Sequence, residues 1–298
     1  MKRQRRKKRD GGRLFLAFVI AVSLLTVLWL GAQGMEKLLH YGESATIAAP
    51  EEEDPEGITH TAEETQGLVY GVPTNPYAPE GFSEKNGYLT YEKDGIVGRL
   101  GVDVSSHQQE IDWEKVKAAG VEFAVIRAGY RGYTKGQLVE DEYFQKNMEG
   151  AAAAGLDVGV YFFSQAISVE EAAEEADFVL KLVEAYGFDL QYPIFFDWED
   201  VEADARSDVM NKIALTGCAF SFCARIEETG HRAGIYFNQK FGYQELNLFS
   251  LLDYDFWLAE YNPVPSFQYS FGFWQYTNCG KVDGIDADVD LNLAFEKK

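Results

Sequence analysis

The sequence predicts an α/β fold from about residue 99 onward, an incomplete (β/α) barrel with five β/α units followed by three strands. Strand-like and helix-like patterns alternate as far as residue 237. Three further strand patterns, at 255–260, 272–276 and 289–291, lie too close together for the helical crossovers that parallel neighbours need. Several strands also end beside an acidic residue, as expected when an active site lies at the carboxyl ends of barrel strands.

Short apolar runs predict the first five strands, and apolar residues recurring every three to four positions predict the helices between them. The strands cover 100–104, 123–127, 158–163, 193–199 and 234–237, and the helices cover 112–119, 140–154, 168–186 and 207–229. Ser168 and Glu171 form a capping box that starts the third helix. The acidic residues of this helix, which include Glu175, are expected on its solvent-facing side.

The fourth strand contains the strongest candidate for chemistry. Apolar and aromatic residues lead directly into Asp197-Trp198-Glu199, a pattern that suits a strand buried on both faces. Because side chains alternate along a strand, Asp197 and Glu199 point to one face, about 7 Å apart, and Trp198 points to the other. Burial and a nearby like charge both raise the pKa of a carboxyl group. An isolated Asp-x-Glu is more often a solvated strand end, so this interpretation depends on the rest of the chain.

The amino terminus is predicted to anchor the chain in a membrane. Residues 1–13 carry eight Lys or Arg and one Asp, whereas the whole chain has a net charge of −21. Residues 14–32 contain no charge and approach the roughly 20 residues that a helix needs to cross a bilayer. The basic segment would stay cytoplasmic in a single-pass membrane protein, with the remaining chain extracellular. A cleaved signal peptide, giving a secreted protein, is the alternative, but 14–32 is longer than the usual apolar core of about 7 to 15 residues.

Residues 33–86 are predicted to form an extracellular stalk. The acidic run 51–56 and five prolines between residues 50 and 79 leave little apolar content, so the segment should be disordered or extended. Residues 87–98 are predicted to form a hairpin with an Asp-Gly turn that leads into the barrel. The predicted folded domain therefore covers 87–298.

The barrel region contains a series of motifs that resemble one known family. They are Gly-Val-Asp-Val-Ser at 101–105 with His107-Gln108 and 111–113, then 123–128, Asp141 with Phe144 and Asn147, 154–155 with 159–163, Asp197-Trp198-Glu199, 257–261, 274–276 and 289–292. Their order and spacing are similar to those of glycoside hydrolase family 25, the Chalaropsis-type lysozymes. The resemblance covers about residues 99–295, so residues 99–298 alone are expected to fold and to be active.

This resemblance implies a modified, flattened TIM-like barrel, (β/α)5(β)3, in agreement with the pattern of strands and helices. It implies hydrolysis of the β-1,4 bond between N-acetylmuramic acid and N-acetylglucosamine in peptidoglycan, the activity of a lysozyme or muramidase. By position, Glu199 resembles the general acid, and Asp197 resembles the second carboxylate, which stabilises the reacting centre or the acetamido group of the substrate. Asp103 and Asp290 resemble the remaining acids of the pocket. The resemblance implies no metal and no cofactor.

Two points are left open by the resemblance. Many members have Tyr-His-Phe in the third strand, whereas this chain has Tyr-Phe-Phe at 161–163, so a polar role at Phe162 is in doubt. A direct carboxylate nucleophile and assistance by the substrate are both compatible with glycosidase chemistry.

Six aromatic side chains at strand ends are candidates for sugar binding. Aromatic rings can form the walls of a sugar site, but for each of them a place in the core is at least as consistent with the sequence. They are Tyr161, Tyr236, Trp257, Tyr261, Trp274 and Tyr276.

The sequence argues against several other functions. The four histidines show neither His-x-His nor His-Glu-x-x-His spacing, which argues against metal catalysis. The acidic balance argues against nucleic acid, which needs a basic surface. A catalytically silent wall-binding protein is the alternative to an enzyme, but the presence of all four acids favours hydrolysis. Peptidoglycan and the membrane are the partners that the sequence indicates, and no protein partner can be inferred from it.

Overall fold

A computed structural model of the protein describes residues 68–201 and 203–298. Within these ranges no helix is both long enough and apolar enough to span a bilayer. The predicted basic segment 1–13, the predicted membrane helix 14–32 and most of the predicted stalk lie outside the described residues.

The described residues form one sheet of eleven strands. In chain order these are β1 (Phe82–Lys85), β2 (Tyr88–Lys93), β3 (Ile96–Val104), β4 (Phe123–Arg131), β5 (Leu138–Glu140), β6 (Asp157–Ser164), β7 (Ile194–Trp198), β8 (Ala233–Asn238), β9 (Asp255–Ala259), β10 (Phe273–Gly280) and β11 (Val289–Lys297). Eight of them close into a barrel in the order β3-β4-β6-β7-β8-β9-β10-β11, with β11 next to β3. Seven of these eight are parallel, and β11 runs antiparallel to both of its neighbours. Strands β1, β2 and β5 extend the sheet beyond the barrel.

The predicted (β/α)5(β)3 fold is confirmed, with a reduced fifth unit. The α-helices of the described residues are α1 (Trp113–Ala118), α2 (Phe144–Ala153), α3 (Val169–Tyr186) and α4 (Lys212–Glu227). They follow β3, β5, β6 and β7 respectively. After β8 the chain forms a π-helical turn at Phe241–Glu245 and a 3₁₀ turn at Leu248–Leu251 in place of a full helix.

Two helices begin later than predicted, for local reasons. The predicted helix 140–154 begins at Phe144, because residues Leu138–Glu140 form β5 and pair with the end of β4. The predicted helix 207–229 begins at Lys212, where the Asn211 side chain accepts hydrogen bonds from two backbone N–H groups of the first turn. Residues Arg206–Val209 form a separate 3₁₀ turn before it.

Helix α3 has the predicted ends but one unexpected buried acid. The Ser168 hydroxyl accepts a hydrogen bond from the Glu171 backbone N–H, and Gly187 ends the helix with φ of 69°. Glu175 was expected in solvent, yet it is 0% exposed. Arg131, at the end of β4, lies beneath this face of the helix and donates to Glu175 at 2.6 Å. A buried carboxyl is tolerated here because it has a paired cation.

Two apolar layers follow from the alternation of side chains along the strands. Inside the barrel, Phe195, Trp257 and Phe273 belong to one cluster. Outside it, a larger cluster packs the strands against the helices, for example Phe196 on β7 against Phe222 on α4 with ring centroids 5.4 Å apart. The period of two places every second residue of a strand in the barrel interior. Polar residues that continue the inner rows therefore meet at the end of the barrel where the parallel strands finish. This end is called the mouth below.

The described end of the predicted stalk is part of the folded domain, which corrects the prediction for residues 68–86. The Asn75 backbone N–H donates to the Gln268 carbonyl, and the Tyr77 ring stacks on Phe295 with centroids 3.7 Å apart. Residues 79–85 form a 3₁₀ turn and β1. This segment folds because its aromatic residues find apolar partners on the outside of the barrel.

Strands β2 and β3 form the predicted hairpin at 87–98. They pair antiparallel next to the turn, with Lys93 opposite Ile96. Asp94 and Gly95 both have positive φ, 52° and 77°, which is the conformation of a type I′ turn. The Asp-Gly sequence suits this turn because glycine and, to a lesser degree, aspartate tolerate the left-handed region.

Candidate active site

The four candidate carboxyls lie at one end of the barrel. Asp103 on β3 and Asp290 on β11 are direct register partners across the antiparallel pair. Asp197 lies on β7, two residues beyond the inward-facing Phe195, and Glu199 follows the end of the same strand. The alternation of the strand therefore gives Asp197 and Glu199 a common inward face. The predicted separation of Trp198 onto the opposite face is confirmed, because Trp198 belongs to the outer cluster.

Two amide side chains hold Asp103 in place by hydrogen bonds. Its Oδ2 accepts hydrogen bonds from Gln275 Nε2 at 2.9 Å and from Asn292 Nδ2 at 2.7 Å. Asp103 and Asp290 also influence each other: the charge of Asp290 raises the pKa of Asp103, whereas the neighbouring Asp103 side chain lowers that of Asp290. The two carboxyl groups therefore titrate as a coupled pair.

Asp197 is 5% exposed, and its Oδ1 has no hydrogen-bond partner among the described residues. Arg127, on the inner row of β4, is the cation that favours its ionised form. The guanidinium is itself held by Asp141 at 2.8 Å and by the Ser106 hydroxyl at 3.1 Å. Arg127 therefore offsets part of the negative charge at the mouth without being free to move into it.

All four carboxyls have pKa values above their ordinary range. Burial is the main cause in each case. It raises the pKa of Asp290 to about 6. The pKa of Asp103 is raised further by the charge of Asp290, and that of Asp197 by the charge of Glu199. Because the groups are coupled, the protons belong to the cluster as a whole, and at least one carboxyl holds a proton near neutral pH.

Glu199 is the carboxyl that faces an open cavity. Burial raises the pKa of Glu199, the neighbouring Tyr236 hydroxyl lowers it, and the charge of Asp200 raises it. The cavity has a volume of about 470 Å³ and is lined mainly by polar residues. Besides Glu199 and Tyr236, its walls are formed by residues 238–240 at the end of β8 and 259–262 at the end of β9. A proton on Glu199 is therefore accessible to a ligand.

Three of the six predicted aromatic residues surround the carboxyls. Tyr161 lies on the inner row of β6 and is half-buried. Tyr236 and Tyr261 both donate their hydroxyl hydrogens to Gln275 Oε1, at 3.1 and 2.8 Å. Tyr261 is 50% exposed and is the ring best placed to meet a ligand in the cavity.

Trp257 is buried in the barrel interior and supports the carboxyls from there, so it is not a wall of the cavity. It is 1% exposed inside the barrel, and its Nε1 donates to Asn292 Oδ1 at 2.9 Å. This bond fixes the amide of Asn292 with its nitrogen towards Asp103. Trp257 thus supports Asp103 through Asn292.

Trp274 and Tyr276 do not belong to the site, which corrects the prediction for both. Trp274 is 0% exposed on the outside of the barrel, where its Nε1 donates to the Glu260 carbonyl at 2.8 Å and its ring meets Phe82. Tyr276 also faces outward and packs on the outer cluster. Period-two alternation explains this, because the residue between them, Gln275, faces inward.

Phe162 is likewise an outward-facing residue. It is fully buried against Phe178 of α3, with ring centroids 5.9 Å apart. The absence of histidine at this position therefore has no direct effect on the carboxyl cluster.

Three site residues were not predicted: Arg127, Gln275 and Asn292. Each continues an inner row by two positions: Arg127 after Val125, Gln275 after Phe273, and Asn292 before Ala294. This spacing was the signal that could have found them. It is usable only once the inward face of each strand is known.

The described residues contain no group of three or more His, Cys, Asp or Glu side chains arranged to hold a metal ion. The side chains that the structure brings together at the mouth carry carboxyl, amide, phenol and guanidinium groups. Such a set can donate a proton and stabilise a developing positive charge.

Curated proteins similar to this chain include two named as lysozymes. Lysozyme M1 of Streptomyces globisporus is 28% identical over 204 residues, which cover 65% of this chain and 67% of that protein. The autolytic lysozyme of Clostridium acetobutylicum is 26% identical over 193 residues, covering 64% and 54%. The uncharacterized protein YegX of Escherichia coli K12 is 28% identical over 202 residues, covering 65% and 68%.

Solved structures show the same fold. A bacterial lysozyme from Streptomyces coelicolor matches with a TM-score of 0.53 and 28% identity, covering 65% of this chain and 91% of that one. A family 25 glycosyl hydrolase from Bacillus anthracis matches with a TM-score of 0.54 and 24% identity, covering 69% and 92%. The modular autolysin LytC of Streptococcus pneumoniae, solved with a synthetic peptidoglycan ligand, matches with a TM-score of 0.61 and 22% identity. This chain covers 52% of the LytC chain, and 72% of this chain is covered.

Residues 102–285 match the family of glycosyl hydrolases 25. The match covers more than half of the chain and includes Asp103, Asp197 and Glu199. It covers the barrel from the end of β3 to β10, and β11 with Asp290 follows it. The chain therefore belongs to glycosyl hydrolase family 25.

Proposed function

We propose that this glycoside hydrolase is a muramidase that cleaves the β-1,4 bond between N-acetylmuramic acid and N-acetylglucosamine in peptidoglycan. The observation that carries the proposal is the group of four coupled carboxyls, one of which, Glu199, faces the cavity. The similarity to two proteins named as lysozymes supports the choice of substrate.

Glu199 acts as the general acid in this proposal. Hydrolysis needs a proton on the leaving oxygen, and the donor must hold that proton near the working pH. Burial raises the pKa of Glu199, and the cavity gives a sugar access to it. The Tyr236 hydroxyl lies next to this carboxyl, and both residues line the same cavity.

Asp197 stabilises the positive charge that develops on the sugar. Its Oδ1 is buried and unpaired among the described residues, so it has bonding capacity for a substrate group. An oxocarbenium-like centre, or the N–H of the substrate's acetamido group, would satisfy that oxygen. Asp103 and Asp290 add negative charge beneath the same centre.

Product analysis tests the reaction. The purified protein is incubated with peptidoglycan, and the released muropeptides are reduced and analysed by mass spectrometry. New reducing ends on N-acetylmuramic acid are expected. New reducing ends on N-acetylglucosamine would show that the enzyme cleaves the other glycosidic bond of peptidoglycan, and the proposed specificity would be wrong. A folded protein that releases nothing from several wall types would contradict the proposal as a whole.

Glu199→Gln tests the assignment of the general acid. The substitution keeps the shape and removes the transferable proton, so activity should fall by about 10²- to 10⁴-fold. Asp112→Asn is the control, because Asp112 caps α1 by accepting from the Lys115 backbone N–H, and asparagine caps equally well. Turbidity loss of a wall suspension measures both variants. Near-normal turnover by folded Glu199→Gln would contradict the assignment.

We further propose that residues 14–32 hold the enzyme in the cytoplasmic membrane, with the barrel outside the cell. The support is the uncharged stretch of nearly bilayer-spanning length behind eight basic residues. The protein should stay in the membrane fraction after a high-salt wash and be released by detergent. A mature amino terminus just after Ala32 would instead indicate a cleaved signal peptide.

A further inference from the structure

One buried amide joins the two ends of the loop that carries Glu199. Gln165 follows β6 and is 0% exposed. Its Nε2 donates to the Glu199 backbone oxygen at 2.9 Å and to that of Ser164 at 3.0 Å. Its Oε1 accepts a hydrogen bond from the buried Ser207 hydroxyl at 2.6 Å. The same side chain therefore holds residue 199 and residue 207.

A second bond holds the residue before Glu199 to the residue after Gln165. Trp198 Nε1 donates to the Ala166 carbonyl at 3.3 Å. Two consecutive residues after β6 thus hold two consecutive residues at the end of β7. Between Glu199 and Ser207 the described residues of the loop are half-buried or exposed.

Glu199 needs such support because the sheet no longer fixes it. The pairing of β7 with β8 ends at Asp197, and its pairing with β6 ends at Trp198. The peptide group of Glu199 therefore lies beyond the ladder of sheet hydrogen bonds. In its place, the Gln165 amide binds the Glu199 carbonyl.

We propose that Gln165 and Ser207 are positioning residues for the general acid. They act through the backbone of Glu199 and fix the direction in which its side chain leaves the barrel. This inference rests on the proposed role of Glu199. A displacement of about 1 Å in a catalytic group can cost on the order of 10²-fold in rate, so the arrangement matters for turnover.

The hydrogen bonding of Gln165 agrees with a positioning role. Burying an amide is unfavourable unless its polar atoms are bonded, and here both the nitrogen and the oxygen have partners. An apolar side chain would fill this position without that requirement. The amide is the group that can bind a backbone carbonyl and a hydroxyl at the same time.

Gln165→Met in the full chain tests the proposal, because methionine has a similar length and cannot make these hydrogen bonds. We expect kcat on peptidoglycan to fall at least tenfold, with KM changed less than threefold. We also expect the alkaline limb of the pH–rate profile to move to lower pH. A freed Glu199 carboxyl would gain water and leave the field of Asp197, Asp103, Asp290 and Asp200 and the Tyr236 hydroxyl.

Gln191→Met is the matched control. The Gln191 amide also bridges backbone groups, accepting from Val158 N at 3.1 Å and donating to the Asp189 carbonyl at 3.0 Å, but it lies before the start of β7, away from the mouth. It should leave kcat and the alkaline limb unchanged. Assays are run well below the unfolding temperature of each variant, so that lost stability does not lower the active fraction.

Ser207→Ala tests the same role if Gln165→Met does not fold. It removes only the donor to Gln165 and should shift kcat and the alkaline limb in the same direction by a smaller amount. Its control is Ser221→Ala, which removes a hydroxyl bound to the Val169 carbonyl on the outside of the barrel. Equal behaviour of the two serine variants, or a folded Gln165→Met whose alkaline limb stays in place, would overturn the positioning role. Wild-type protein that releases no muropeptides would instead contradict the proposed function.

Discussion

Asp197 is the residue at which stability and function oppose each other most directly. Burial and the charges of Glu199 and Asp103 raise its pKa well above the ordinary range, and Arg127 offsets only part of this effect. A buried carboxyl oxygen without a partner costs free energy in the folded state. Such a cost is common at active sites, where the unpaired group is available for the substrate.

Asp197→Asn should shift the pH dependence of whatever activity is left. Removing a neighbouring negative charge makes ionisation of Glu199 easier, so the pKa of Glu199 falls. The alkaline limb of the pH–rate profile, which reports the loss of that proton, should then move to lower pH. Activity should also fall by about 10²- to 10³-fold, because charge stabilisation at the sugar is lost. An unchanged alkaline limb would show that the two carboxyls are not coupled.

The same substitution should raise thermal stability in a pH-dependent way. The pKa of Asp197 is higher in the folded protein than its ordinary value of 3.8. Below that value the carboxyl is neutral in both states and costs nothing, whereas above it folding disfavours the ionised form. The Tm of Asp197→Asn should therefore exceed that of the wild type by more at pH 8 than at pH 4. A difference in Tm that is constant over this range would exclude an electrostatic origin.

At the scale of the element, the strand β10 shows what the sequence could and could not reveal. Its aromatic residues Trp274 and Tyr276 suggested a sugar-binding wall, but they face outward, and Gln275 between them faces the carboxyls. The inward face depends on the antiparallel register with β11, which contains irregularities after Gln275 and Thr277. Which face of β10 points inward is set by its register with β9 and β11 and cannot be read from the residues of β10 alone.

Three of the four acids were predictable because they lie at the ends of strong local patterns, whereas Asp290, near the start of β11, was predicted only from the family resemblance. Asp103 and Asp197 lie at the ends of apolar strand patterns, where a carboxyl group is unusual and therefore marks a candidate site. The sequence does not distinguish Gln275, Asn292 and Arg127 from other polar residues. Only the closed barrel brings these three side chains to the carboxyl cluster. The strand and helix order was likewise predictable from periodicity, whereas the start of α2 depended on the pairing of β5 with β4.

Tyr261→Phe and Tyr276→Phe test the division of β10 and its neighbours into inner and outer faces. Tyr261→Phe removes the hydrogen bond to Gln275, a loss of about 0.5–1.5 kcal/mol, so kcat/KM should fall roughly 2- to 10-fold. Tyr276→Phe removes the same atom from the outside of the barrel and should leave kcat/KM unchanged. Steady-state kinetics on soluble glycan fragments measure both. Equal losses in the two variants would contradict the assigned faces.

At the scale of the molecule, the domain is larger than its catalytic motifs. The family match begins at residue 102, but residues 68–95, which precede β3, already pack on the outside of the barrel. Phe82 meets the Trp274 ring at 5.4 Å, and Tyr77 and Tyr91 meet Phe295 at 3.7 and 5.4 Å. The apolar surface of the last strands is thus covered by the chain that precedes the barrel.

A chain that begins at Arg99 should therefore be much less stable than one that begins at Leu68. It would expose the rings of Trp274, Phe271 and Phe295, and burial of each large side chain is worth about 1.5–3 kcal/mol. The sum is a large part of the roughly 5–15 kcal/mol that stabilises a typical domain. Thermal unfolding should show a lower midpoint or aggregation for the shorter chain, while the chain from Leu68 should unfold like the full-length protein. Tyr77→Ala in the full-length protein is the milder control and should lower the midpoint without changing kcat, because Tyr77 lies far from the mouth. Equal midpoints for the two truncated chains would show that the segment before Arg99 does not contribute to the stability of the barrel.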